Sequence, residues 1–335
     1  MSRKYLLPEE GNFYKANLHC HSTDSDGQLT PEEIKKAYKE KGYSVVAYTD
    51  HNVVVSQQHL NDEDFLALNG MEIDVSEKHD ESIPQSGYNK TCHICFIALK
   101  EDNLETFCFH REKYLTSGAL KCRDRLVIDE TLPDFERKYT PECINEIIKT
   151  GRDKGFFVTY NHPTWSMEFY PEYMSYHGMH AMEIYNCNCC FPGHYEYNDH
   201  EYRDMLRGGE KIYCVATDDN HGLLDMFGGF TMIKADELKY EVITDALLKG
   251  NFYASTGPEI KSLWYEDGKI VVECSEVCEI SLNTQYRRCD RRAGENLSRA
   301  EFEVQETDGY VRLRLTDKCG NHANTNAYFI EDLIK

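Results

Sequence analysis

Three short strings place histidine beside histidine or aspartate at close spacing: His19-Cys20-His21, Asp50-His51 and Asp219-Asn220-His221. Each sits where a strand-like pattern gives way to a loop. Asp26, Glu72, His93 and His162 add further imidazole and carboxylate groups in comparable settings. Mixed donors of this kind suit divalent ions, which activate water for hydrolysis. Along a strand, residues i and i+2 face the same way, so His19 and His21 can reach one ion, and Asp219 and His221 two neighbouring ones. Any single H-x-H or D-x-H string arises often by chance. Their joint occurrence at strand ends is what predicts a multinuclear metal site.

The elements that must carry these residues alternate in type. Strand-like runs lie at Ala16–Leu18, Val45–Tyr48, Phe65–Met71, Cys92–Leu99, Phe156–Tyr160, Ala181–Tyr185 and Ile212–Ala216. Thr30-Pro31-Glu32-Glu33 combines an N-cap, a first-turn proline and a capping-box glutamate, and predicts a helix ending near Gly42. Thr140-Pro141-Glu142 opens a second helix that stops near Gly151 or Gly155, and Asp236 to Gly250 gives a third. Strand–helix alternation implies a parallel α/β sheet. Candidate donors at the ends of many different strands favour a barrel over an open sheet, whose site would gather at one switch point.

From Pro258 onward short strands follow one another with turn residues between them and no helical stretch: Ser262–Tyr265, Lys269–Glu273, Glu279–Leu282, Glu301–Gln305, Tyr310–Leu315 and Ala327–Ile330. This predicts two domains, a hydrolase domain over 1–257 and an all-β sandwich over 258–335. Residues 100–139 are mixed and charged, and read as an insertion near the barrel mouth.

Composition narrows the partners. The chain has 335 residues, 37 basic and 58 acidic, for a net charge of −21. An acidic surface repels long nucleic acids, which need clustered lysine and arginine. No apolar run reaches the roughly 18 residues that span a bilayer, and the start lacks a long apolar leader, so the expectation is a cytoplasmic protein with no membrane partner. Fourteen cysteines in such a chain read as reduced, mostly structural thiols, Cys187-Asn188-Cys189-Cys190 included.

In order, His19-x-His21-x-x-x-Ser25-Asp26-Gly27, Thr49-Asp50-His51-Asn52, Gly70-Met71-Glu72, His93, Asn161-His162-Pro163 and Asp219-x-His221 resemble the PHP (polymerase and histidinol phosphatase) family over about residues 16–257. Gly250 to Pro258, Glu183-Ile184-Tyr185-Asn186 and Ala216-Thr217-Asp218-Asp219 are similar to its CehA/McbA-like branch. The resemblance implies a distorted (β/α)7 TIM-like barrel holding two or three divalent ions, with manganese, iron and zinc all suited to the donors. It implies that His19, His21, Glu72 and Asp219 bind the first ion, and that Glu72 bridges to a second completed by His93 and His162. Asp26, His51 and His221 would take a third. Glu72, Asp219 and His221 then become the residues nearest the chemistry, a hydroxide between ions being the nucleophile.

Asp50 and Asp218 adjoin these donors and read as groups that accept the outward N–H of a ligating histidine. Arg111, Arg123 and Arg125 are phosphate-binding candidates by position, and Asn186 is a candidate for polar lining. His59, His79, His110, His177, His180, His194, His200 and His322 match no motif. The expected activity is hydrolysis of a small phosphate mono- or diester. The alternatives are a hydrolase of carboxylic esters, carbamates or amides, and a regulatory or carbohydrate-associated binding protein.

Overall fold

The structure is a computed structural model and describes residues 3–78, 89–193 and 196–334. Of the unmatched histidines, His79 and His194 lie outside these residues. The strands are β1 (Lys4–Tyr5), β2 (Asn12–Asn17), β3 (Val45–Tyr48), β4 (Leu66–Ser76), β5 (Thr91–Ala98), β6 (Phe156–Tyr160), β7 (Ala181–Asn186) and β8 (Tyr213–Thr217). They continue with β9 (Phe230–Ala235), β10 (Phe252–Ser255), β11 (Ile260–Glu266), β12 (Lys269–Thr284), β13 (Cys289–Glu303), β14 (Tyr310–Thr316), β15 (His322–Thr325) and β16 (Tyr328–Phe329). The fold is mixed α/β with one large sheet.

β2, β3 and β4 run parallel, as do β6, β7 and β8. The expected regular alternation fails in the middle, because β5 pairs antiparallel with both β4 and β6. β4 also extends five residues past the predicted Met71, to Ser76. Its second half alternates Ile73 and Val75, both buried in the core, with Glu72 and Asp74. That period of two keeps a strand going through charged residues when one face meets a site. Glu72 therefore stands within a strand, not just past its end as expected, while His93 lies within β5, in keeping with the predicted run Cys92–Leu99.

The ends of the β2-to-β8 path meet. Asp219 N–H donates to the His19 carbonyl at 2.9 Å and His21 N–H to the Asn220 carbonyl at 3.1 Å, forming a parallel bridge between Cys20 and Asn220. This seam sets two pairs of donors side by side.

The predicted helices form. Pro31–Glu40 has both halves of its capping box, Thr30 accepting from the Glu33 amide and Glu33 accepting from the Thr30 amide. Pro141–Asp153 is capped by Thr140. Its Gly151 lies against the Phe96 ring of β5, where an added Cβ would come within 2.3 Å of a ring carbon. The third helix starts later than expected, at Tyr240, and ends at Lys249 with Gly250 in the left-handed region at φ +71°.

The region beyond 258 is all-β as predicted until the short helix Ile330–Leu333, but the sheet does not break at the expected boundary. β15 pairs antiparallel with β10, and β11 with the N-terminal β1. One core cluster joins Tyr38, Tyr43, Phe65 and Tyr253 to Leu263, Val272, Leu282 and Leu313. Asn326 accepts from the Cys214 amide and donates to the carbonyls of Gly250 and Phe252, all at 3.0 Å. The stretches predicted as two strands within 269–282 form the single β12, with register shifts around Val277.

Candidate metal centre

Every donor implied by the family resemblance converges on one end of this strand set. Glu72 is 1% exposed and lies among five imidazoles. Its carboxylate oxygens are 3.2 Å from His19 Nε2, 3.4 Å from His21 Nε2, 3.3 Å from His51 Nδ1, 3.1 Å from His93 Nδ1 and 3.5 Å from His162 Nε2. Asp219 Oδ1 stands 3.2 Å from His19 Nε2 and 3.1 Å from His21 Nε2, while its Oδ2 is 3.8 Å from His162 Nε2. Asp26 Oδ2 lies 3.8 Å from His51 Nε2 and 3.6 Å from His221 Nε2. The donors fall into adjoining groups that could each hold an ion: His19, His21 and Glu72; Glu72, His93 and His162; and His21, Asp26, His51 and His221; a fourth grouping, His19 and His162 with Glu183, overlaps the first two.

Three observations fit these groups to cations. His19 Nε2 and His21 Nε2 face each other at 3.1 Å, a spacing typical of two ligands on one ion. His51 Nδ1 and His93 Nδ1 are buried without a hydrogen bond although both lie close to Glu72. An ion between these groups would satisfy them. The third observation is electrostatic. Burial alone would lower His21, yet hydrogen bonds to Asp219 and Glu72 outweigh it and push the imidazole up to about 10. His162 is likewise lowered by burial but raised, by Glu72 first, to about 9. Glu72 and Asp219 are held well below the carboxylate range because burial is overcome by His19. His51, by contrast, is depressed to about 4 by burial and by the charge of His21. The buried carboxylates thus favour positive charge at His21 and His162, as a site for cations would.

Backbone strain marks the same place. His162 (φ +25°), Asp219 (φ +52°) and Asn52 (φ +64°) all adopt positive φ without being glycine. Such conformations cost of order 1–3 kcal/mol each and persist where the surroundings over-determine them.

Glu183, buried on β7, is the residue that sequence reasoning missed. Its Oε1 lies 2.7 Å from His19 Nδ1 and 2.6 Å from the Thr217 hydroxyl. Its Oε2 accepts from the His162 amide at 3.0 Å and from Asn186 Nδ2 at 2.9 Å. A carboxylate on Nδ1 turns Nε2 of His19 toward Glu72 and Asp219. The pattern Glu183-Ile184-Tyr185-Asn186 was the available signal. Asn161 also touches the centre, donating to Glu72 Oε1 at 2.7 Å.

Asp50 and Asp218 do not accept from a histidine as expected. Asp50 accepts from the Ser22 amide at 2.8 Å and the Ser25 hydroxyl at 2.7 Å, and so shapes the loop bearing His21 and Asp26. Asp218 gathers the amides of Phe227, Gly228 and Gly229 and the Tyr38 hydroxyl, all within 3.0 Å. The outward nitrogens of His162 and His221 go instead to the Ser166 hydroxyl (3.2 Å) and the Asp219 carbonyl (2.9 Å). Asn186 is fully buried behind the donors, bonded to Glu183 and Asp219, and is not a wall of the cavity.

The three arginines proposed from position are placed elsewhere. Arg111 pairs with Asp134 (2.8 Å) and Glu130 (3.1 Å), Arg123 donates to the Arg111 carbonyl, and Arg125 pairs with Asp24 at 2.5 Å. Each has a local acceptor, and none lines the cavity. The 100–139 segment does reach the centre's loops, since Gly118 N–H donates to the Ser25 carbonyl and Asn52 Nδ2 to the Tyr114 carbonyl. At its end the buried Arg137 donates to Asn52 Oδ1 at 2.6 Å and to the Asp74 carbonyl at 3.0 Å. Among the described residues, the remaining histidines join none of the donor groups. Seven of the nine donors implied by the resemblance, together with Trp165 and Asn188, enclose a cavity of about 220 Å³.

Comparison with family models and with curated proteins finds no match. Among solved structures, the chain is similar to a two-domain protein of Bacteroides vulgatus containing a predicted PHP-like metal-dependent phosphoesterase. That pair shares 15% identity at TM-score 0.44, covering 98% of each chain. An amidohydrolase from Chromobacterium violaceum gives 14% identity and TM-score 0.40 over 62% of this chain and 87% of that one. PsfC from Pseudomonas syringae gives 12% and 0.41 over 71% and 88%. The first of these neighbours contains a predicted member of the PHP-like group that the sequence motifs resemble. At such identity the chemistry rests on the geometry of the centre itself.

Proposed function

We propose that the chain is a PHP-type metal-dependent phosphoesterase that hydrolyses a small phosphate ester at a di- or trinuclear centre. The ions would be manganese, iron or zinc. In this reading β2 to β8 make a distorted (β/α)7 barrel, which the Cys20–Asn220 bridge supports, and the later strands make an accessory β-sandwich.

The observation that carries the reading is the charge balance of the cavity. Its walls hold the carboxylates of Asp26, Glu72 and Asp219, neutral-capable imidazoles, and no lysine or arginine among the described residues. Two or three divalent ions would leave a surplus of positive charge facing the opening, which suits an anionic phosphoryl group. Such ions lower the pKa of a water they hold and offset charge on the phosphoryl oxygens. The chain's own residues do the positioning. Glu72 places one carboxylate between two donor groups, Glu183 fixes the ring of His19, and Asp219 and His162 are held by strained backbone. His51 and His221 flank Asp26, the more exposed group at the opening.

No described helix is long and apolar enough to cross a membrane. The charge of −21 disfavours a long polyanion, because exposed charges act within about 8 Å at physiological salt and a long chain must cross many of them. A cytoplasmic small-molecule ester is the proposed substrate. Rates on a phosphomonoester, a short diester, long RNA and a carboxylic ester, at one salt concentration, test this. The small phosphate ester should be cleaved fastest, chelator should abolish the rate, and Mn²⁺ should restore it. Faster cleavage of the carboxylic ester, or internal cutting of long RNA, would overturn it.

A further inference from the structure

One wall of the cavity is aromatic. Trp165 is 40% exposed, an unusual position for so large an apolar side chain beside a charged centre. Its ring stands at 5.1 Å from His162 and 5.6 Å from His93, nearly perpendicular to both. Its amide donates to the fully buried Glu196 at 2.7 Å, so the ring is fixed from the backbone side as well. Apart from the donors, among the described residues only Asn188 joins it as a wall. The two segments beyond continue the apolar character: His221 leads into Leu223 and Leu224, 63% and 77% exposed, and Asn188 into Phe191, 59% exposed.

We propose that the substrate's leaving group is a single uncharged planar ring seated on Trp165, and that esters bearing a second phosphate are disfavoured. This rests on the phosphoesterase reading and names its substrate class. A rigid indole gives a ring a large contact area at small entropic cost. A second phosphate would find no cationic side chain among the described walls. The cavity, about 220 Å³, lies below the usual range for drug-sized ligands and suits one ring plus a phosphoryl group. In the reaction, water forms the new P–O bond, the P–O bond to the ring oxygen breaks, and that oxygen leaves as a phenol with a proton from the water. Inorganic phosphate is the other product.

The test is binding to the metal-loaded full chain, measured by calorimetry with phenylphosphonate, cyclohexylphosphonate and 1,4-phenylenediphosphonate, and with inorganic phosphate. Phenylphosphonate should bind about five- to tenfold tighter than its cyclohexyl counterpart, the scale of one aromatic contact. The diphosphonate should bind no tighter than phenylphosphonate. Trp165→Ala should bring the phenyl-to-cyclohexyl ratio within about twofold, Trp165→Phe should keep most of it, and inorganic phosphate should bind all three proteins alike. A ratio unchanged in Trp165→Ala, or tighter binding of the diphosphonate, overturns the assignment while leaving phosphate hydrolysis intact. Failure of every phosphonate and of phosphate to bind metal-loaded protein overturns both readings.

Discussion

Glu183 and His19, 164 positions apart in sequence, meet at 2.7 Å through Oε1 and Nδ1, both fully buried. The carboxylate selects the tautomer of His19 and so decides which nitrogen faces Glu72 and Asp219. Glu183→Gln keeps the shape and removes the charge. We expect metal affinity to fall by about 10- to 100-fold, as for other carboxylates behind ligating histidines. Competition with a chromophoric chelator measures this, and an unchanged affinity would show that His19 is oriented by packing alone.

Metal content is the most direct expectation. Protein purified without chelator should carry two to three divalent ions per chain by elemental analysis, as the adjoining and overlapping donor groups imply. Glu72→Gln should lower that number most among single substitutions, because one carboxylate serves two groups. Less than one ion after supplementation would remove the basis of the catalytic reading.

Ion binding should release protons. His21 and His162 hold theirs up to about 10 and 9 in the metal-free chain. Since both values are raised above the ordinary 6.5, the proton is bound throughout the range below about pH 9, and an ion must displace it. Titration at pH 7.5 in buffers of different ionisation enthalpy should report roughly three protons released per chain, since His19, where burial is outweighed by Asp219 and its neighbours, is also raised well above its ordinary value, and affinity should rise with pH until about 9–10. Release of none would mean that the imidazoles are already neutral.

The donors of the centre were legible because type and order suffice to mark them: histidines at i and i+2 after apolar runs, with carboxylates at strand ends. Glu183 was not, since a glutamate in a buried run gives no local sign of its partner 164 residues away. Arg111, Arg123 and Arg125 were misplaced because arginine is equally suited to phosphate and to surface ion pairs, and only geometry distinguishes Asp134, Glu130 and Asp24 as the partners. The antiparallel step at β5 escaped because Glu72 and Asp74 interrupt an apolar run, so the strand was ended at Met71. The C-terminal strands were legible as strands, but their pairing was not, because register between β10 and β15 is set by residues some 70 positions apart.

That pairing changes what a truncation should do. A 1–257 fragment retains every proposed donor, yet it strips β15 from β10, β11 from β1 and the Asn326 bonds from Cys214, Gly250 and Phe252. It also opens a core shared between Tyr253 and Leu263. The fragment is expected to be insoluble or to lose its cooperative melting transition. A soluble, cooperatively melting fragment that still binds metal would show that the seam is dispensable.

The His180 ring should make stability pH-dependent. It accepts from the Val158 amide at 3.0 Å, stacks on Phe157 at 5.0 Å, and is depressed to about 4 by burial and then by Arg152. A histidine lowered below 6.5 favours the folded state when neutral, so this contribution is full above about 6.5 and fades as pH falls toward 4. His180→Gln should flatten the melting temperature between pH 6.5 and 4.5 relative to the parent chain, both metal-free. Parallel curves would place the acid sensitivity elsewhere.

The Cys20–Asn220 bridge has a consequence for when the centre can exist. It joins the second strand to the eighth, so His19 and His21 wait for Asp219 and His221 across two hundred residues of chain. A nascent polypeptide emerging in order would expose half of its donors long before the others are made. Contacts of such sequence separation form late. On the proposed function, ion capture would be coupled to the forming of this bridge, and a chain stalled before Asp219 would carry histidines without their partner carboxylate.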